Sequence, residues 1–174
     1  QLGPLRDSKF DSAKLDEFDR WFATLKSHGI YSTWSIFYPH RIGPGDGYPR
    51  ELLAELKNGS TSGVVNFMPK LQALQWEYVR KLLSHENPHT GMRYIDDPAL
   101  AVVEVHNEDC IFWHWPLNEL ANPDGRLPRH RAELRRRYAA WLEAEGLGEK
   151  RPRLFGAWQM TGERADPAIG RFIR

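Results

Sequence analysis

The 174-residue chain is long enough for one sizeable hydrophobic core and too short for two. Its 24 basic and 23 acidic side chains give a net charge of +1, which provides no electrostatic basis for binding nucleic acid or an anionic membrane. The single cysteine, Cys110, excludes an intrachain disulfide, and no apolar run is long enough to predict a membrane span.

The N-terminal third of the sequence predicts a helix followed by a strand. Residues 11–29 have a cap residue at the start, Asp11 or Ser12, and end at Gly29. Between them, apolar side chains recur at spacings of three and four: Leu15, Phe18, Phe22 and Leu25. The next stretch, "IYSTWSIFY" (residues 30–38), is β-branched and aromatic and predicts a strand.

The rest of the chain repeats this alternation. A segment rich in Gly and Pro predicts a long irregular loop, after which Pro69 opens a helix to about residue 83. "LAVVEVH" (residues 100–106) predicts a second strand, and residues 128–145 predict a third helix. The tail "LFGAWQM" fits either strand or helix, and "DPAIGRFIR" indicates the first turns of another helix.

The order helix, strand, helix, strand, helix predicts a parallel sheet with helical crossovers. Residues 30–37 and 100–105 are therefore expected to be neighbouring parallel strands, with the helix 69–83 between them. So few parallel strands rarely form a sheet alone, and a complete (β/α)8 TIM barrel takes about 250 residues. Residues 1–174 are expected to be one partial α/β barrel domain, from about the second helix to the start of the fourth, truncated at both ends.

The second strand ends in an unusual way, in "AVVEVHNEDCIFW" (residues 101–113). Alternation places Glu104, His106 and Glu108 on one face of the strand. Glu104 is expected to be buried and paired. A carboxyl group at Glu108, beside Ile111, Phe112 and Trp113, is expected to be partly desolvated, with a raised pKa that suits a general acid. Spacing alone also allows Glu108 to be a solvated structural residue.

A longer string around this strand end carries a family resemblance. "NPHTGMRYIDDPALAVVEVHNED" resembles the fourth-strand region of clan A glycoside hydrolases, especially the cellulase-like enzymes of glycoside hydrolase family 5. "LDEFDRWFATLKSHGIYSTWSIFYPHR" is similar to the helix and third strand of that group. The resemblance implies a retaining hydrolase of β-linked poly- or oligosaccharides that needs no cofactor. It assigns the general acid/base to Glu108 and contact with the hydroxyl next to the reacting carbon to Asn107.

The resemblance also indicates the remaining candidate site residues, and the chain differs from the family pattern at two places. The chain has Asp109 where many of these enzymes have Pro, and Phe37 and Tyr38 precede His40 where His commonly ends the third strand. The predicted substrate-binding residues are Asn107, His106, His40, Tyr38, Trp113 and Trp115. The family's nucleophile ends the seventh strand, which lies beyond this chain. Glu119 and Glu163 are the available substitutes, although neither follows a convincing strand.

Other functions are less consistent with the sequence. A carbohydrate-binding or degenerate barrel without activity is the main alternative. A metal-dependent hydrolase is a third hypothesis, but no His-Glu-x-x-His or paired-cysteine motif supports it. The basic run "RLPRHRAELRRR" predicts a solvated helix face rather than a phosphate site. The expected partner is a carbohydrate, with no nucleic acid or membrane. A secreted or periplasmic location follows from the resemblance alone, and oligomeric state, sugar and linkage stay open.

Overall fold

The computed structural model describes residues 10–37 and 41–147, which form a mixed α/β structure. The chain divides into two compact units, Gln1–Leu117 and Asn118–Arg174. Both sheets of the described residues lie in the first unit. No helix in the described ranges is long and apolar enough to cross a membrane.

Helix α1, Ser12–Ser27, has both ends that the sequence predicts. The Asp11 carboxylate accepts hydrogen bonds from the main-chain N–H groups of Ala13 and Lys14, each at 3.1 Å. At the other end Gly29 adopts a φ of 71°, and the N–H of Ile30 donates to the Leu25 carbonyl at 3.0 Å. Local signals at each end therefore set where this helix begins and ends.

Two parallel strands form the main sheet. Strand β1 is Ser32–Phe37 and strand β4 is Leu100–His106, with Trp34 opposite Val103 and Phe37 opposite His106. Helix α3, Pro69–Ser84, lies between them in the chain. The prediction of neighbouring parallel strands joined through a helix is confirmed.

Short elements fill the connections on either side of α3. The loop before it holds helix α2, Arg50–Leu53, and the 3-10 turns Pro44–Asp46, Lys57–Gly59 and Val64–Asn66. A hairpin follows α3, with strands β2, Glu86–Asn87, and β3, Met92–Arg93, and the 3-10 turn Tyr94–Asp96. The sequence predicts only a loop and a helix break here, because two-residue strands are too short to show a period.

The core of the first unit lies between the main sheet and the helices α1 and α3. The rings of Phe22, Trp34 and Tyr94 meet edge to face, with centroids 4.6–5.5 Å apart. Helix α3 adds the buried side chains Tyr78 and Leu82. Edge-to-face pairs contribute about 0.5–1.5 kcal/mol beyond the area that they bury, so this aromatic cluster is a major stabilising element.

The expectation that Glu104 is buried and paired is wrong. Its side chain is exposed, and it has no hydrogen bond or ion pair within the described ranges. Glu104 lies opposite Ser35, which is also exposed, whereas Trp34 and Val105 lie against the core. The reason is that α1 and α3 pack against Trp34 and Val105, on the opposite face of the strands from Glu104.

A buried polar network joins α1 to the hairpin. Asp19 of α1 is only 2% exposed. Its carboxylate contacts His85 Nε2 at 2.8 Å and accepts a hydrogen bond from the Tyr94 hydroxyl. The Asn87 amide donates to the Asp19 carbonyl at 2.9 Å. Because each of these polar groups is satisfied inside the protein, the network fixes the hairpin against α1.

Burial of Tyr78 predicts an alkaline loss of stability. Desolvation raises the pKa of Tyr78 from 10.0 to about 12. The folded state therefore favours the neutral phenol, and the associated stability is complete below pH 10 and is lost as the pH rises toward 12. The loss from this residue is about 2–3 kcal/mol.

Tyr78→Phe removes this titration, so the variant is expected to lose about 2–3 kcal/mol less than the wild type between pH 10 and 12. Urea unfolding at a series of pH values measures the difference. Tyr94 remains in both proteins, and burial raises its pKa in the same direction, so both retain some alkaline sensitivity. Parallel stability curves for the two proteins would contradict the prediction.

The second unit contains helix α5, Pro128–Ala144, as the sequence predicts. Leu134, Tyr138 and Leu142 are buried, and Gly146 follows the helix with a φ of 66°. Glu133 binds Arg136 and Arg137 at 2.7 Å along the helix surface. This arrangement agrees with the interpretation of the basic run as a solvated face. The predicted elements between 148 and 174, and Glu163 with them, lie outside the described residues.

Candidate active site

Asn107 and Glu108 directly follow β4, at the carboxyl end of the parallel pair. The main-chain N–H of Asn107 donates to the Phe37 carbonyl at 3.2 Å, so the ends of β1 and β4 lie at the same level. In parallel α/β structures this end of the sheet is where side chains from several strands converge on a ligand. The local fold thus places Asn107 and Glu108 at the carboxyl end of the sheet, where ligands bind in such structures.

The Glu108 side chain is exposed to solvent. The expectation that Ile111, Phe112 and Trp113 desolvate it is wrong for the described residues. Ile111 is 3% exposed and packs into the protein, whereas Trp113 is 41% exposed and lies at the surface. Apolar residues that follow in the sequence therefore do not enclose the Glu108 carboxyl group.

The backbone of Glu108 is in the left-handed region, with a φ of 46°. Within the described ranges, Asn58 is the other non-glycine residue with positive φ. A residue with a long side chain adopts this conformation at a cost of about 1–3 kcal/mol and keeps it only where surrounding contacts impose it. Such residues cluster at functional sites, so this conformation distinguishes Glu108 from an ordinary loop residue.

Asp109 connects the strand end to a distant loop. Its side chain is 5% exposed. One carboxylate oxygen, Oδ1, accepts hydrogen bonds from the Ser62 hydroxyl at 3.1 Å and the Gly63 N–H at 2.5 Å. The other, Oδ2, lies 2.9 Å from His106 Nε2. The sequence shows Asp109 only as a departure from the family pattern, because its partners in the loop lie 46 and 47 positions earlier.

His106 is held from two sides. Its Nε2 faces Asp109, and its Nδ1 lies 3.3 Å from the amide nitrogen of Gln75 on α3. Gln75 is 9% exposed, so the amide is fixed by its surroundings. Both contacts are satisfied when Nε2–H donates to Asp109 and Nδ1 accepts from the Gln75 amide. A substrate contact by His106 stays a prediction, and it would involve a ring whose orientation is already set.

Two of the predicted substrate-binding aromatic residues, Trp113 and Trp115, lie in the described part of the chain. Trp113 is exposed and follows Glu108 by five residues, and Trp115 is half-buried in helix α4, His114–Ala121. Trp113 therefore presents an exposed ring face and Trp115 a partly covered one, and a sugar contact by either residue stays a prediction. Tyr38 and His40 lie outside the described residues.

Glu119 is not at a strand end, where the nucleophile is expected. It lies within α4, and its carboxylate accepts hydrogen bonds from the Arg126 main-chain N–H at 2.7 Å and from Arg126 Nε at 3.0 Å. The main-chain hydrogen bond from Arg126 is the largest influence that lowers the pKa of Glu119. Within the described ranges, no group of three His, Cys, Asp or Glu side chains is arranged to hold a metal ion.

Gly63, which donates to Asp109, is a position that no other residue fits. It has a φ of 73°, and a Cβ there would come within 2.2 Å of the Pro116 Cβ. Gly63→Ala is therefore expected to destabilise the protein by about 2–4 kcal/mol, through backbone strain and overpacking together. Urea unfolding measures the change in the free energy of unfolding.

Gly91→Ala is the matched control for this substitution. Gly91 has a φ of 67°, but a Cβ there would meet nothing within 4 Å. Gly91→Ala therefore introduces backbone strain without overpacking, and it is expected to lower the free energy of unfolding by about 1 kcal/mol. Equal losses in the two variants would mean that the contact with Pro116 relaxes without cost.

Comparisons with known proteins indicate no function for this chain, because no family model, curated protein or solved structure matches it. The functional hypothesis therefore depends on the sequence pattern around Asn107 and Glu108 and on the contacts that hold this strand end.

Proposed function

We propose that this chain is a segment of a retaining β-glycoside hydrolase with a (β/α)8 barrel, in which Glu108 is the general acid/base. The observation that carries the proposal is an exposed carboxylate, preceded by Asn107, at the carboxyl end of a parallel strand. Its left-handed backbone adds a feature typical of functional sites.

The barrel is supported by the two faces of the main sheet. One face packs against α1 and α3, while the other carries Val102, which is 53% exposed, together with Ser35 and Glu104. Parallel sheets are normally covered on both faces. In a barrel the second face points inward and is covered by the remaining strands, so the exposure of Val102 is what a barrel segment would have.

The edge of β1 gives a second line of support. Within the described ranges β1 pairs with β4 alone. A cavity of about 640 Å³ lies beside it, between β1 and α1, and its lining includes Phe18, Trp21 and Trp34. Unpaired edges of parallel strands leave backbone groups without partners, so a further strand on this side of β1 is the arrangement that completes the sheet.

In the proposed reaction Glu108 performs two proton transfers. It first donates a proton to the leaving-group oxygen and then removes a proton from the water that attacks the glycosyl-enzyme. The nucleophile must lie about 5–5.5 Å from the acid/base carboxyl. We assign it to a part of the barrel outside this chain, since Glu119 lies on a helix rather than at a strand end.

Asn107 and Trp113 are the substrate contacts that the proposal uses. The Asn107 amide has the donor and acceptor needed to bind a sugar hydroxyl next to the reacting carbon. Trp113 offers an exposed ring on which a sugar can stack. Both residues lie within five positions of Glu108 in the sequence.

Product stereochemistry tests the proposal. A protein that contains this segment within a complete barrel is incubated with a panel of β-linked oligosaccharides and followed by proton NMR. Retention predicts that the β-anomer appears first, and the α-anomer appearing first would contradict the mechanism. Residues 1–174 alone are expected to show no turnover, because they supply one carboxylate of the two. Sugar binding without hydrolysis by the complete protein would favour the alternative of a non-catalytic carbohydrate-binding barrel.

A further inference from the structure

We propose that Asp109 is a positioning residue that holds Glu108 in its left-handed backbone conformation by fixing loop 60–63 and His106 to the end of β4. The consequence for catalysis rests on the proposed function. The structural part of the proposal, a coupling between the Asp109 carboxylate and the Glu108 backbone, can be tested without a substrate.

Glu108 lies between two anchored residues. On its N-terminal side, the N–H of Asn107 is bound to the Phe37 carbonyl at 3.2 Å. On its C-terminal side, the side chain of Asp109 is buried and has partners on both oxygens. A return of Glu108 to negative φ would move one of these neighbours and break its hydrogen bonds. Contacts on both sides are the condition under which a strained residue persists.

The Asp109 carboxylate matches its three donors closely. Oδ1 accepts from Ser62 and Gly63, and Oδ2 faces the Nε2–H of His106. A charged acceptor strengthens each of these hydrogen bonds relative to a neutral one, and burial strengthens them further. An amide at this position would keep the acceptor for the loop but present N–H groups to the N–H of His106. Asp109→Asn therefore disrupts the contact with His106 and preserves the contacts with Ser62 and Gly63.

The same contact places loop 60–63 beside the acid/base. Ser62 and Gly63 touch the residue that directly follows Glu108, although they lie far from it in the sequence. The Asp109 carboxylate therefore ties this loop to the residue next to the proposed acid/base. Misplacement of a reacting group by about 1 Å costs on the order of 100-fold in rate.

Kinetics in the complete protein test the catalytic consequence. Asp109→Ala and Asp109→Asn are expected to lower kcat by about 100-fold while KM changes by less than about threefold, because the acid/base is displaced and the sugar contacts remain. Ser62→Ala removes one of the two loop donors and leaves Gly63 in place, so its kcat is expected to fall by less than about tenfold. A kcat within about twofold of the wild type for both Asp109 variants would overturn the proposal.

A double-mutant cycle in stability tests the coupling itself. Glycine adopts positive φ without steric cost, so Glu108→Gly relieves the strain only where the strain is imposed. The gain in the folding equilibrium constant from Glu108→Gly is expected to be about fivefold larger with Asp109 present than in the Asp109→Asn background. Equal gains in the two backgrounds would overturn the proposal whether or not the protein is a glycosidase. Loss of activity on Glu108→Gln, with equal gains in the cycle, would leave the proposed function intact and remove only the role of Asp109.

Discussion

Glu108→Gln in the complete protein is expected to lower turnover of glycosides with poor leaving groups by about 10²–10⁴-fold. Gln keeps the size and the hydrogen-bonding shape of Glu but has no proton to give to the leaving oxygen. The Glu108 side chain is exposed and lies in a loop that other residues hold, so the substitution is expected to leave the fold unchanged. Steady-state rates on oligosaccharides measure the loss.

The leaving group and added azide separate the two proton transfers. Aryl glycosides with acidic phenols depart without protonation, so the first step is expected to suffer less in Glu108→Gln than it does with oligosaccharides. The second step still needs a base to activate water. Azide attacks the glycosyl-enzyme without such help and is expected to restore part of the rate, with a glycosyl azide as product.

Glu104→Gln is the matched control for this experiment. Glu104 lies four residues earlier, within β4, is exposed, and has no polar partner within the described ranges. Because Glu104 lies within the strand and not at its carboxyl end, Glu104→Gln is expected to keep turnover close to the wild type. Equal losses in both variants, or an unaffected Glu108→Gln, would contradict the assignment of the acid/base to Glu108.

The sequence predicts the framework of the first unit because the signals for its elements are local. The Asp11 cap, the Gly29 stop and the apolar spacing of α3 each act within a few residues. The parallel pairing of β1 and β4 also follows from order, since a helix between two apolar strands favours a parallel crossover. These predictions needed no knowledge of tertiary contacts.

The errors concern single side chains whose surroundings come from distant parts of the chain. The burial of Glu104 depends on which face of the sheet is covered, and alternation alone does not fix that. Glu108 is exposed in a left-handed backbone conformation, which the sequence does not predict because the residue is not a glycine. Asp109 was visible as a departure from a family pattern, but its role appears only when loop 60–63 is placed beside it.

Asp19→Ala is expected to destabilise the protein by about 3–5 kcal/mol, the largest loss of stability predicted for a single substitution here. The carboxylate is buried and serves as the shared partner of His85 and the Tyr94 hydroxyl. Its removal leaves the buried Tyr94 hydroxyl and the partly exposed His85 ring without that acceptor, and an unsatisfied polar group in the interior costs about 1–3 kcal/mol. Urea unfolding near pH 7 measures the change in the free energy of unfolding.

Two further variants show whether the loss comes from the buried network. Asp16 lies one turn earlier on α1, where its carboxylate forms exposed contacts with Arg20 at 2.7 Å and with His89 of the hairpin turn at 3.2 Å. Because solvent screens both contacts, Asp16→Ala is expected to change stability little. Asp19→Asn keeps an oxygen acceptor for Tyr94 but gives up the charge that faces His85, so its loss is expected to lie between those of the other two variants. The hairpin would then be held against α1 by hydrogen bonds to a carboxylate rather than by apolar packing alone. Equal stability of Asp16→Ala and Asp19→Ala would instead mean that the aromatic cluster around Tyr94 holds it without this network.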